Sequence, residues 1–115
     1  MIKDAETVRE QEVAAWMGER ADRVIETSCA RVFLVGEAAW KVKRPVNFGF
    51  LDYSTLELRR WSLERELSFN RAAAPDIYRA VRRLTRTLTG GVEIDGAGET
   101  VEYVLEMRRF DEQGV

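Results

Sequence analysis

In the run Ala38-Ala39-Trp40-Lys41-Val42-Lys43, a strand period of two puts Ala39, Lys41 and Lys43 on one face and Trp40 and Val42 on the other. A flat ring can lie against a side chain as small as Ala39 while the Lys41 ammonium reaches phosphate oxygens two residues on. That is the chemistry of a nucleotide site. The same spacing also describes a lysine that simply stands in solvent on an antiparallel strand. A second group of interest is Glu64-Arg65-Glu66-Leu67. Leu67 belongs to an apolar helical stripe, so Glu66 borders the buried side and Glu64 lies further round. The plainer reading is a solvated carboxylate paired with Arg59, Arg60 or Arg65, worth a few tenths of a kcal/mol.

The elements that must position these residues follow from periodicity and punctuation. The spacing predicts a helix over about Asp4–Arg20, with Asp4 as its N-cap. Val8, Val13, Trp16 and Met17 are its expected packing face. Short strands are expected at Arg23–Thr27, Arg31–Val35 and Ala38–Lys43, with Gly36-Glu37 as a tight turn and Pro45 ending the third. The Pro45–Asp52 loop is unusually apolar. Ser54 or Thr55 then caps a long helix to about Ala74, stopped by Pro75, with Leu56, Leu63, Leu67 and Ala74 as its stripe. Three further strands complete the pattern: Ile77–Thr87, Val92–Ile94 and Thr100–Phe110, with turns at Thr89-Gly90-Gly91 and Asp95-Gly96-Ala97-Gly98. Val101, Tyr103, Leu105 and Met107 are expected on one face of the last. The expected fold class is α+β, one domain over residues 1–115, an antiparallel sheet of five to six strands with an N-terminal helix and one long helix.

Composition narrows the chemistry. The 115 residues are one domain's worth and long enough for a core. With 18 basic and 20 acidic side chains and a net charge of −2, the chain is no general polyanion binder. It has no histidine, which removes His-dependent triads, His bases and the common zinc sites. Cys29 is the single cysteine, so there is no internal disulfide and no CxxC pair. The charged start MIKDAETVREQE lacks a secretory core, and no stretch approaches about 18 apolar residues. A cytoplasmic, non-membrane protein is expected.

Taken together, four segments resemble one family. AWKVKRPVNFGFLDYSTLE from Ala39 to Glu57, ERELSFNR from Glu64, APDIY from Ala74 and EYVLEMRRF from Glu102 to Phe110 are similar to the amino-terminal part of bacterial aminoglycoside-phosphotransferase-like proteins. Some members of that family are fused to a second ATP-binding domain. The resemblance runs from about Val24. It implies a protein-kinase-like small lobe in which Ala38-Ala39-Trp40-Lys41 takes the place of the V-A-I-K strand and Lys41 contacts phosphate. Glu66 would be the helix glutamate that holds the lysine, with Lys43 the second choice of cation. Met107 and its neighbours, Leu105 among them, would form the hinge that offers backbone groups to adenine.

Three departures qualify what the resemblance implies. Thr27-Ser28-Cys29-Ala30 stands where a Gly-rich phosphate loop belongs, and the histidine usual in this turn is absent. Hydroxyls and amides of Thr27 and Ser28 could contact phosphate; a plain hairpin turn is the other reading. Asn47-Phe48-Gly49 lacks the aspartate of D-F-G, follows the third strand directly, and is expected to pack its loop down. Finally, no H-x-D-x-x-x-x-N catalytic loop occurs and the sequence stops at the hinge. No catalytic residue is therefore assigned in this chain. ATP and Mg are expected only with the absent C-terminal catalytic lobe. A lone small lobe would leave Met107, Phe110 and the Phe48–Leu51 loop partly bare, which favours a homodimer or domain swap.

Two other classes compete. Arg79, Arg82, Arg83 and Arg86 beside Tyr78 could track a nucleic-acid backbone, although Glu93, Asp95, Glu99 and Glu102 are available as cross-strand partners. An interaction or structural domain could also keep the fold without the ligand. Trp16, Trp40 and Trp61 read as core aromatics, and Cys29 as a small buried filler.

Overall fold

The computed structural model describes residues 4–109. It is an α+β fold of two helices and a six-stranded, wholly antiparallel open sheet. The elements are α1 (Ala5–Arg20), β1 (Arg23–Glu26), β2 (Ala30–Val35), β3 (Ala38–Lys43), α2 (Leu56–Ala73), β4 (Tyr78–Arg86), β5 (Val92–Ile94) and β6 (Thr100–Arg108). Their order and number match the expectation from sequence. The sheet order, β1-β2-β3-β6-β4-β5, was not part of that expectation: β6 returns to the middle, between β3 and β4. Among the described residues no helix is long and apolar enough to cross a membrane.

Both helices start as their caps dictate. Asp4 Oδ1 accepts from the Thr7 amide at 2.8 Å, and the Thr55 hydroxyl accepts from the Leu58 amide at 3.2 Å. The sheet has a core on each face. Val13 and Met17 of α1 pack with Phe33, Val42, Leu84, Val92, Val101 and Val104. Leu63 of α2 packs with Leu34, Ala39, Leu105 and Met107, joined by Leu67, Val81 and Tyr103. The alternation expected for β3 therefore holds, with Trp40 and Val42 toward α1 and Ala39 toward α2.

Several local expectations need correction. Val8 is exposed; the inward stripe of α1 is instead Glu6, Glu10, Val13 and Met17, whose acidic half is satisfied by arginines. Val101 does not share a face with Tyr103, Leu105 and Met107. Leu84 pairs with Glu102 and Thr85 with Thr100, so Val101 is an extra residue that turns toward the α1 core. Trp61 is 59% exposed and not a core aromatic, while Trp16 and Trp40 are partly buried. Phe50 is 91% exposed, because the loop before α2 is closed by its own backbone and not by its aromatics. Phe48 N donates to Leu51 O and Tyr53 N to Val46 O; Asn47 Oδ1 accepts from Gly49 N, whose φ of 86° suits only glycine. Cys29 is half-buried on a turn, not a core filler. Phe110 lies outside the described residues.

Candidate functional site

Where β3 faces α2, two lysines share one carboxylate. Lys41 and Lys43 project from alternate positions of β3 toward α2. The helix is held there by Leu63 and Leu67, which flank Glu66 on the sheet-facing side. Lys41 Nζ lies 2.9 Å from Glu66 Oε2 and 3.2 Å from Oε1, and Lys43 Nζ lies 3.1 Å from Oε1. Lys43 is 8% exposed and Lys41 25%, so the cluster meets solvent through Lys41. The Lys43 ammonium also stands 5.1 Å above the Tyr53 ring, an attractive placement for a cation.

The electrostatics follow from this geometry. Burial alone pushes the Glu66 carboxyl up, but the two ammonium groups outweigh it and hold the group below the ordinary glutamate range. Burial and the Glu66 charge together push the Tyr78 hydroxyl up. Two cations on one carboxylate leave one positive charge over. Such a cluster can hold an anionic oxygen; Glu66, with both oxygens engaged by ammonium groups, is poorly suited to a bare metal cation. Among the described residues no group of three acidic or cysteine side chains converges to hold a metal.

The other residues singled out from sequence are placed as follows. Ala39 pairs with Met107, and Lys41 with Leu105. All three apolar residues are buried in the core beneath α2. Met107 lies within β6 and pairs with both Ala39 and Tyr78, and the next two amides donate to Ile77 O and Glu37 O. It is thus part of an interior ladder and not an open connection that presents backbone groups. The Thr27–Cys29 turn lies at the Lys43 end of the sheet, since Ala30 pairs with Lys43. Its Thr27 hydroxyl accepts from the amides of Cys29 and Ala30, which occupies donors that a phosphate would need. Ser28 is exposed, with its hydroxyl 3.6 Å from Cys29 Sγ.

Three of the four arginines of β4 meet carboxylates within the fold. Arg82 meets Glu106 and Asp95, Arg79 meets Glu106, and Arg86 meets Glu12 of α1. Arg83 donates to Thr100 and to the Gly96 carbonyl. Of the expected acidic partners, Asp95 is in place. Glu102 is instead buried against Arg59 of α2, at 3.1 Å. Sequence reasoning offered Arg59 as a surface partner of the Glu64–Glu66 carboxylates, whereas it is buried and pairs with Glu6 and Glu102; Tyr53 was not singled out. For Arg59 the signal was available: it stands four residues before Leu63, at a stripe position where an apolar residue is the rule.

No family model and no solved structure matches the chain. It is similar to uncharacterized proteins of two Mycobacterium tuberculosis strains and of Mycobacterium bovis. Each is 34% identical over 87 residues, covering 76% of this chain and 16% of the relative. The chain thus spans about a sixth of the length of the curated relatives it matches.

Proposed function

We propose that this chain is the nucleotide-binding small lobe of an aminoglycoside-phosphotransferase-like kinase. Lys41 contacts the phosphates of ATP, and Glu66 holds the lysine toward them. One observation carries this reading: a strand ammonium and a helix carboxylate meet at 2.9 Å across the sheet–helix packing layer. In kinase-like phosphotransferases that pair holds the nucleotide phosphates. Lys43 adds a second cation to the same carboxylate, which suits the cluster to a polyanion.

The catalytic base and the magnesium ligands are assigned to a second lobe, for which the longer mycobacterial relatives have the chain length. This lobe alone is then not catalytically competent. Thermal unfolding with and without Mg-ATP tests the assignment. Ligand at 100 times its dissociation constant adds about 2.7 kcal/mol; a smaller stabilisation is expected here, abolished in Lys41→Ala. A shift that survives Lys41→Ala, or no shift at all, overturns it.

A second reading, an interaction domain that kept the fold without the ligand, draws on a separate feature. Trp61 and Phe69 stand exposed on the outer side of α2, and Trp61 borders an open cleft of about 320 Å³ with Phe50, Leu58 and Arg65. A homodimer through this side would leave Lys41→Ala without effect on association, whereas Trp61→Ser would weaken it. Sedimentation velocity distinguishes the two.

A further inference from the structure

Arg59 sits in the first turn of α2 and is 1% exposed. Each nitrogen of its guanidinium has a different anchor. Nε donates to Glu102 Oε2 of β6 at 3.1 Å, Nη2 to Glu6 Oε2 of α1 at 2.6 Å, and Nη1 to the Tyr53 carbonyl at 2.9 Å. Glu102 Oε2 is itself held by the Tyr103 amide at 3.1 Å. A planar fork has fixed donor directions. Three anchors on three separate segments therefore specify both the axial position and the rotation of the helix start. Pairing between β3 and β6 ends at Lys41 and Leu105, so the ladder itself does not impose this geometry on α2.

Glu66 follows Arg59 by seven residues, two turns on and nearly the same direction about the helix axis. At roughly 6 Å from the axis, a rotation of roughly 20° moves a carboxylate by roughly 2 Å. That shift breaks hydrogen bonds of 2.9–3.2 Å. Leu63 between them and Leu67 just beyond Glu66 are apolar contacts, which resist sliding but specify rotation weakly.

We infer that Arg59 is a positioning residue for the anion cluster: by locking the rotation of α2 against Glu102, Glu6 and Tyr53, it holds Glu66 against Lys41 and Lys43. Its value for ligand binding rests on the reading of that cluster as a phosphate site; its effect on Glu66 does not. Arg59 touches no ligand in this scheme and acts through the helix alone.

The experiment compares wild type, Arg59→Met and Arg59→Met/Glu102→Leu in the full chain. The double variant removes the carboxylate that the single one leaves buried and unpaired, so it is the variant that keeps the fold; amide spectra and thermal unfolding verify this. Two readouts follow. Carboxyl-carbon NMR titrates Glu66, which is faced by Lys41, Lys43 and Tyr78, and calorimetry measures Mg-ATP affinity. In the folded double variant the Glu66 midpoint is expected to rise toward the ordinary glutamate value and the affinity to fall at least tenfold. A folded double variant with an unchanged Glu66 midpoint overturns the inference. If the midpoint moves in the variant but wild type binds no nucleotide, Arg59 still positions Glu66 and the phosphate reading alone is lost.

Discussion

Lys43 and Glu66 form the more buried half of a shared ion pair, with Lys43 Nζ 3.1 Å from Oε1, while Lys41 completes the cluster from its solvent side. On the proposed reading the two lysines have separable duties. Lys43 neutralises a partly buried carboxylate and stacks on Tyr53, whereas Lys41 would meet the ligand.

Substitution should separate these duties. Lys43→Met removes a buried partner of a charged group and is expected to cost about 1–3 kcal/mol of stability. Lys41→Met, at a partly exposed pair, should cost no more than about 1 kcal/mol, yet lower Mg-ATP affinity more than Lys43→Met does. Urea unfolding alongside calorimetric titration measures both. Equal losses of affinity for the two variants would contradict the division.

The partly buried Glu66 and the buried Glu102 respond to pH in opposite senses. The Lys41 and Lys43 ammonium groups hold Glu66 below its ordinary value, so the unfolded chain takes up that proton more readily than the folded one. Its contribution is complete above about pH 4.3, the ordinary glutamate pKa, and is lost as pH falls through the lowered value. Burial pushes Glu102 above the ordinary value, with the Arg59 charge only partly offsetting it. Here the folded chain takes up the proton more readily. That contribution is present below the ordinary pKa and declines as pH rises through the raised one. The stability gap between wild type and Glu66→Gln should therefore shrink below about pH 4. The gap between wild type and Glu102→Gln should shrink as pH rises above the ordinary range. Unfolding curves at a series of pH values decide it.

Arg59→Ala leaves Glu102 buried without its cation and is expected to cost about 3–5 kcal/mol. Arg60→Ala, one residue on but pairing with Glu57 at the surface, should change stability by no more than about 0.5 kcal/mol. For a chain of this size each kcal/mol is worth about 4 °C in Tm. A calorimetric scan of both variants reads the difference directly.

The exposed aromatics of α2 give the last expectation. Trp61→Ser and Phe69→Ser should each leave stability within about 0.5 kcal/mol of wild type, because neither side chain fills the core. If this side self-associates, the wild-type sedimentation coefficient rises with concentration and the Trp61→Ser value does not. A concentration-independent monomer in both removes the dimer.

Local signals made the elements legible. Asp4, Thr55 and Pro75 bound the helices because caps and breakers act within a turn, and the period of two on β3 sorted Trp40 and Val42 from Ala39, Lys41 and Lys43. The same logic failed where an extra residue interrupts the period, at Val101, and where exposure depends on what lies opposite, at Val8, Phe50 and Trp61. Apolar type alone does not bury a side chain; a facing surface does.

From its sequence this chain already specified the order of its helices and strands, the face that carries Lys41 and Lys43, and a chemistry without histidine, disulfide or CxxC pair. Tertiary structure decided that β6 lies between β3 and β4, that Glu66 closes on both lysines, and that Arg59 is buried against Glu102 and Glu6. Caps and periodicity are set by neighbours a few residues away. Strand order and ion pairing join residues distant along the chain, and only the packed sheet and helices bring them within hydrogen-bond reach.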